Sequence, residues 1–150
     1  MRLLIGLTTY GYGAAMATIL AQITVREGHE ERFEQLASML FEATHEHETG
    51  VERYEYWRGQ EPQLYYALLA FVDYRAFLSH QTSEHHETVT AELNEVIASM
   101  KLEWVDPLAA ASPLGPTNAQ TIDDESSELE RRYDAAMAPT IASWWEDLRG

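Results

Sequence analysis

The chain of 150 residues contains no cysteine. Disulfides, thiolate nucleophiles and cysteine-based metal or iron–sulfur sites are therefore absent, and any chemistry falls to histidine, tyrosine, tryptophan or carboxylates. Lysine is almost missing as well. Lys101 and nine arginines face 25 acidic residues, and the formal net charge is -15. A surface of that sign disfavours nucleic acid and anionic membrane as partners. The chain also lacks any apolar run long enough to cross a bilayer, and its mean hydropathy is -0.34. The opening Met-Arg-Leu-Leu-Ile-Gly-Leu is interrupted by Thr8, Thr9, Tyr10 and Gly11 before a signal-peptide core of ordinary length is reached, so a cytoplasmic location is expected. Asparagine occurs only at Asn94 and Asn118.

What remains is a globular composition, 45 % hydrophobic and 11 % aromatic. A chain of this length buries roughly 70 % of its unfolded surface in one domain and leaves little for a second. Residues 1–16 read as a Gly- and Tyr-rich arm, in which Leu3 to Leu7 suit an edge strand. Residues 17–108 read as one domain, 109–122 as a linker rich in Ala, Pro and Ser, and 123–150 as a helical tail.

Within the domain the periods switch regularly. Ile19, Ala21, Ile23 and Val25 alternate with more polar residues and predict a strand up to Arg26. Phe33, Leu36, Ala37, Leu40, Phe41 and Thr44 recur at spacings of three and four and predict a helix over Glu30 to His47. Val51 to Arg58 predicts a second strand, with Tyr54 and Tyr56 on one face. Leu64 to Val72 predicts a third, apolar on both faces and therefore central. Asp73 is placed to cap the helical turn that follows and delivers His80, His85 and His86. Val89, Leu93, Val96, Ile97 and Met100 predict a long helix to about Ser99, and Leu102 to Leu108 a fourth strand containing Trp104. The order β-α-β-β-α-β is an α+β, ferredoxin-like arrangement: a four-stranded antiparallel sheet with its helices on one face. A central strand apolar on both faces then asks for a cover on the helix-free side, which a second copy of the chain supplies. In the tail the acidic run from Asp123 predicts a helix start, and Trp144 with Trp145 needs a surface to pack on.

The segment Ala17 to Leu108 resembles the antibiotic-biosynthesis monooxygenase domain, a family of dimeric α/β-barrels. The resemblance is carried by the strand Leu64 to Val72 running into Asp73-Tyr74, then Ala76-Phe77 and His80-Gln-Thr-Ser-Glu-His85, and by Gly50-Val51-Glu52-Arg53-Tyr54. It implies a homodimer paired through its sheets, and an enzyme that oxidises a quinol, anthrone or similar polyphenol with dioxygen, using no metal or flavin cofactor. Deprotonated substrate passes an electron to dioxygen, and radical recombination gives a hydroperoxide that loses water to yield a quinone. Some relatives place an asparagine on a sheet strand beside the reacting group. Here both asparagines fall elsewhere, so a haem role is not expected.

Histidine suits the required deprotonation because its ordinary pKa lies near neutrality. His80 is the first candidate base and His85 the second, with Tyr54, Tyr56, Tyr66, Phe71 and Trp104 as pocket walls or phenolic donors. His86 is expected to face solvent, and Asp73 to cap the helix and secondarily to orient a histidine. His45-Glu46-His47-Glu48 looks like a metal motif, but positions i and i+2 point about 200° apart on a helix and do not share an ion. No metal site is expected. Two alternatives to the oxygenase stay open: a non-catalytic small-molecule-binding dimer of the same fold, and an isomerase-like enzyme.

Overall fold

The computed structural model describes residues 16–149. The expected arm, residues 1–16, lies outside these apart from Met16. The order of elements is β1 (Ala17–Val25), α1 (Glu30–His47), β2 (Val51–Arg58), β3 (Leu64–Phe71), α2 (Tyr74–Gln81), α3 (Glu84–Val96), β4 (Ile97–Val105), α4 (Glu128–Met137) and α5 (Ser143–Leu148). The four strands form one open antiparallel sheet in the order β2-β3-β1-β4, the ferredoxin-like topology, with β3 and β1 in the middle.

Register decides which side chains meet the helices. Ile19, Ala21 and Ile23 stand opposite Leu69, Ala67 and Tyr65, and Tyr54 and Tyr56 extend the same rows to β2. Phe33, Leu36, Ala37 and Leu40 of α1 pack against this face and are buried with it. Phe33, Leu36 and Leu40 each contribute on the order of 1.5–3 kcal/mol of transfer free energy, and Ala37 less. Alternation sends Leu20, Trp57, Tyr66 and Leu68 to the opposite face, which no helix among the described residues covers; Trp57 and Tyr66 pair directly and both are exposed.

The helix after the histidines is shorter than the sequence pattern predicts. It stops at Val96, and Ile97 turns to extended backbone while its N–H still donates to Leu93. Ile97–Val105 is then strand, so Ile97 and Met100 belong to β4 and not to the helical stripe. Pairing explains the change. β1 offers a ladder from Thr18 to Val25, and Arg26 N–H takes up the Val96 carbonyl at 2.8 Å while its Nε donates to the Glu95 carbonyl at 3.0 Å. With its last carbonyls satisfied from outside, the helix ends without a loop.

The segment after β4 is tied back to the sheet at Thr117. Thr117 is fully buried, donates to the Val105 carbonyl, accepts from Thr18 N–H and bridges to Met16. Arg149 ties the chain end back to Asp106 and Asn118. Helix α4 begins at Glu128, later than the acidic run suggests, because Asp123 is engaged by Arg75 and Ser127 with Glu130 closes a capping box. Trp144 and Trp145 stack edge-on to one another and Trp144 stays 63 % exposed. Among the described residues, no helix is long and apolar enough to cross a membrane.

Candidate active site

The site is assembled where three helix ends meet. Helix α1 ends at His47, and Glu48 leaves it in extended backbone, its N–H donating to the Thr44 carbonyl at 3.0 Å. Gly50 lets the chain come flush against α2: a Cβ there would lie 2.6 Å from the Ala76 Cβ. This close approach brings the Glu48 side chain to the far end of α2. Asp73 starts α2 by accepting from Ala76 N–H at 2.7 Å, and His80 sits in its last turn. A corner of two residues follows. Thr82 Oγ1 donates to the Leu78 carbonyl and Ser83 Oγ to the His80 carbonyl, while Ser83 Oγ accepts from His86 N–H and opens α3. The corner turns His80 and His85 toward the same carboxylate.

Glu48 Oε1 lies 2.8 Å from His80 Nδ1 and 2.6 Å from His85 Nε2. The side chains of His80, Glu48 and His85 are 1 %, 12 % and 17 % exposed. Burial alone would raise the Glu48 pKa; the hydrogen bonds and charges of His80 and His85 outweigh it, and the carboxyl is held below its ordinary value. As a carboxylate Glu48 only accepts, so both ring nitrogens donate to it. The His80 tautomer follows: Nδ1 carries the shared proton, and Nε2 remains as the nitrogen available to a bound molecule. Tyr54 and Phe71 pack on the ring at centroid distances of 4.9 and 5.4 Å and hold its plane.

On its other side His80 lines a cavity of about 240 Å³ between the sheet and the helices, with Ile19, Ala21, Leu69, Tyr54, Tyr56, His86, Met100 and Leu102 in its wall, and Tyr133 and Met137 of α4 across it. The volume is a little below the usual ~300–1,000 Å³ of small-molecule sites and suits a compact aromatic. Tyr54 and Tyr56 share a hydrogen bond of 2.9 Å between their hydroxyls. Burial first, then the neighbouring Tyr56, pushes the Tyr54 hydroxyl well above its ordinary pKa, and burial raises Tyr56 too. Both stay protonated; one hydroxyl donates to the other, and the proton of the second is left for an oxygen of a bound ring. A wider surface groove of about 600 Å³ runs along α1 and the β2 edge, but it carries the Arg58–Glu34 ion pair and no imidazole.

The residues expected from sequence divide into three groups. His80, Tyr54 and Tyr56 line the cavity, with Phe71 directly behind His80. His85 reaches Glu48 from the outer side, where it also lines a shallow groove. Tyr66 lies across the sheet on the uncovered face, Trp104 packs on Phe77 and donates from Nε1 to the Met137 carbonyl at 2.7 Å, and Asp73 caps α2 without touching a histidine. His86 does not face solvent. It lines the cavity 5.3 Å from His80 by ring centroids, and burial chiefly, with His80 second, lowers its pKa to about 4 against the opposing pull of Glu87. Its position one residue after His85 on α3 turns it about 100° inward. Glu48, Tyr133 and Met137 have no sequence signal for the site. Only the position of Glu48 at the end of the α1 stripe, two residues before Gly50, marks it as a cap residue free to turn away from the helix.

Helices packed on one face of an open antiparallel sheet, with a histidine-bearing cavity between the layers, define a ferredoxin-like α+β fold. The antibiotic biosynthesis monooxygenase family matches residues 16–92, just over half of the chain, and the chain belongs to that family. Among solved structures it is similar to PA3566 from Pseudomonas aeruginosa, at 25 % identity and a TM-score of 0.59, covering 66 % of this chain and 100 % of that one. A Caulobacter crescentus structure that carries the family name gives 20 % identity and a TM-score of 0.60 over 65 % of this chain and 93 % of that one. Rv0793 from Mycobacterium tuberculosis gives 17 % and 0.59 over 65 % and 100 %. No curated protein matches the sequence. The family match ends at residue 92, within α3, so α4 and α5 lie outside it.

Proposed function

We propose that the protein is a cofactor-independent monooxygenase that oxidises a quinol, anthrone or similar polyphenolic aromatic to a quinone with dioxygen, with His80 as the base. The reading rests on one observation above the others: a buried imidazole whose Nδ1 is held by a partly buried carboxylate stands in the wall of an aromatic-sized apolar cavity. His80 Nε2 takes the acidic proton of the substrate. Glu48 fixes the tautomer and stabilises the imidazolium that forms. Of the hydrogen-bonded pair Tyr54 and Tyr56, the hydroxyl whose proton is not shared within the pair donates to the oxygen on which the carbanion or phenolate charge accumulates. For an anthrone the ring CH₂ loses its proton, the anion gives one electron to dioxygen, and the two radicals combine as a hydroperoxide. Loss of water leaves the new carbonyl, so one dioxygen is consumed and one water formed per quinone.

A non-catalytic binder would be favoured by a His80 ring tied to backbone and a cavity filled by the tail tryptophans. Instead the ring is tied to a carboxylate, and the cavity wall includes neither Trp144 nor Trp145. The same reading makes the molecule a homodimer through the uncovered sheet face, where Leu20, Trp57 and Tyr66 are exposed. Dioxygen uptake by metal-free, flavin-free protein with an anthrone and a hydroquinone, run beside His80→Ala, tests it. Uptake that falls by roughly 10²–10⁴-fold in the variant is the expected result. No uptake with either substrate, or equal uptake by the variant, overturns it.

A further inference from the structure

The cluster behind the cavity has a second competence. One carboxylate oxygen and two imidazole nitrogens, from Glu48, His80 and His85, lie within 4.8 Å of one another. They come from the ends of three different helices, so their separation is set by the packing of α1, α2 and α3 and not by local chain geometry. Two imidazoles and one carboxylate are a ligand set that zinc, cobalt and similar borderline divalent ions take, with one or more positions left open. The donors are shielded yet reachable. A shallow outer groove lined by Ala43, His47, Glu84, His85 and Thr88 leads from solvent to His85. The His47 ring stands 6.1 Å from that of His85 at the groove's rim.

We infer that Glu48, His80 and His85 form a binding site for one divalent transition-metal ion, and that the ion converts His80 from a base into a ligand. In the ion-free cluster the two N···O separations, 2.8 and 2.6 Å, are hydrogen bonds. An ion bonded to all three atoms at about 2.1 Å sets neighbouring donors about 3.0–3.4 Å apart, so side-chain movements of less than about 1 Å accommodate it. The proton bookkeeping fixes the consequence. A neutral imidazole that ligates through Nδ1 carries its proton on Nε2, so the nitrogen left for the cavity changes from acceptor to donor. Substrate deprotonation then has no acceptor. This effect on turnover rests on the oxygenase reading above; the binding does not.

The test uses the untagged full chain, stripped with chelator and freed of it, titrated with Co²⁺ followed by visible absorption and with Zn²⁺ followed by calorimetry. One ion per chain is expected, with affinity reduced at least about tenfold in Glu48→Gln and in His85→Ala and unchanged in His47→Ala. His85→Asn, checked by circular dichroism, replaces His85→Ala if the latter does not fold. Absence of any ion binding up to about 1 mM, or binding that the Glu48 and His85 variants leave intact, overturns the site. Dioxygen uptake is read on the same samples. Uptake by the stripped protein that stoichiometric Zn²⁺ abolishes supports the conversion of His80, and uptake that survives full loading overturns it. If stripped protein shows no uptake at all, the oxygenase reading fails while the titration still decides the metal site.

Discussion

Two groups of histidine and glutamate differ in an instructive way. His45, Glu46 and His47 are adjacent in the chain and do not converge on one atom: His45 folds back on Phe41, its Nδ1 2.8 Å from that residue's carbonyl oxygen, while His47 points to the outer groove, its Nε2 3.7 Å from the exposed Glu46 carboxylate. Glu48, His80 and His85 are separated by 32 and 37 residues and converge on one carboxylate oxygen. A helix spreads neighbouring residues around its axis, whereas packed helix ends gather distant ones. The convergent group should therefore carry the chemistry, and the adjacent group none.

The largest effect after loss of His80 itself is expected from Glu48→Gln. The amide keeps an acceptor for one ring but loses the charge that fixes the His80 tautomer, and kcat/KM for dioxygen uptake should fall by about 10²-fold. A purely structural role for Glu48 would leave the pH profile of the residual activity in place. Loss of the carboxylate should move it, because the imidazolium formed during turnover is no longer stabilised.

Stability should respond to pH at the same cluster. His86 has a folded pKa of about 4 against an ordinary 6.5. Its contribution is complete above 6.5 and is lost as pH falls toward 4, since the unfolded chain binds the proton more readily in that window. The shift corresponds to about 3 kcal/mol at full extent. Glu48, with its pKa lowered from 4.5, adds stability that is present above 4.5 and disappears below it as the carboxylate takes up a proton. Chemical denaturation between pH 7 and 4 should show wild type losing stability, with His86→Gln flattening the upper part of that curve. An unchanged slope in His86→Gln would mean that another group titrates there.

Much of the fold can be read from residue periods alone. Strand β1 and helix α1 are fixed by apolar spacings of two and of three and four, and Leu64–Phe71 by its two apolar faces. The end of α3 is not legible, because Val96, Ile97 and Met100 continue a helical stripe and only the ladder with β1 converts Ile97 onward into strand. At the site the same division holds. His80 follows from its place just past the central strand. Glu48 is hidden because its role depends on the angle at which the chain leaves α1, and on the contact of Gly50 with Ala76, neither of which a period encodes. Tyr66 shares its composition and strand with the cavity-facing Tyr65 row, and only knowledge of which face the helices cover separates them.

The extension provides a smaller effect. Trp104→Phe keeps the ring packing on Phe77 and removes the Nε1 donor from the Met137 carbonyl. The cost should be about 1 kcal/mol of overall stability, with weaker retention of substrate, because α4 is held over the cavity by this bond together with that from Tyr74 to Asp134. A rise in KM at unchanged kcat is the corresponding kinetic reading, and a fall in kcat alone would instead place Trp104 against the reacting ring.

The smallest effect sharpens the opening contrast. His45→Ala and His47→Ala, singly and together, should leave dioxygen uptake and its pH profile within experimental scatter. His45 is an exposed ring on Phe41, and His47 approaches the cluster no closer than the outer side of His85. Surface substitutions of this kind ordinarily change stability by no more than about 0.5 kcal/mol. If the double variant instead lost activity to the extent of Glu48→Gln, the groove beside His85 would be part of the reaction path, with His47 as a member of the group that converges on Glu48.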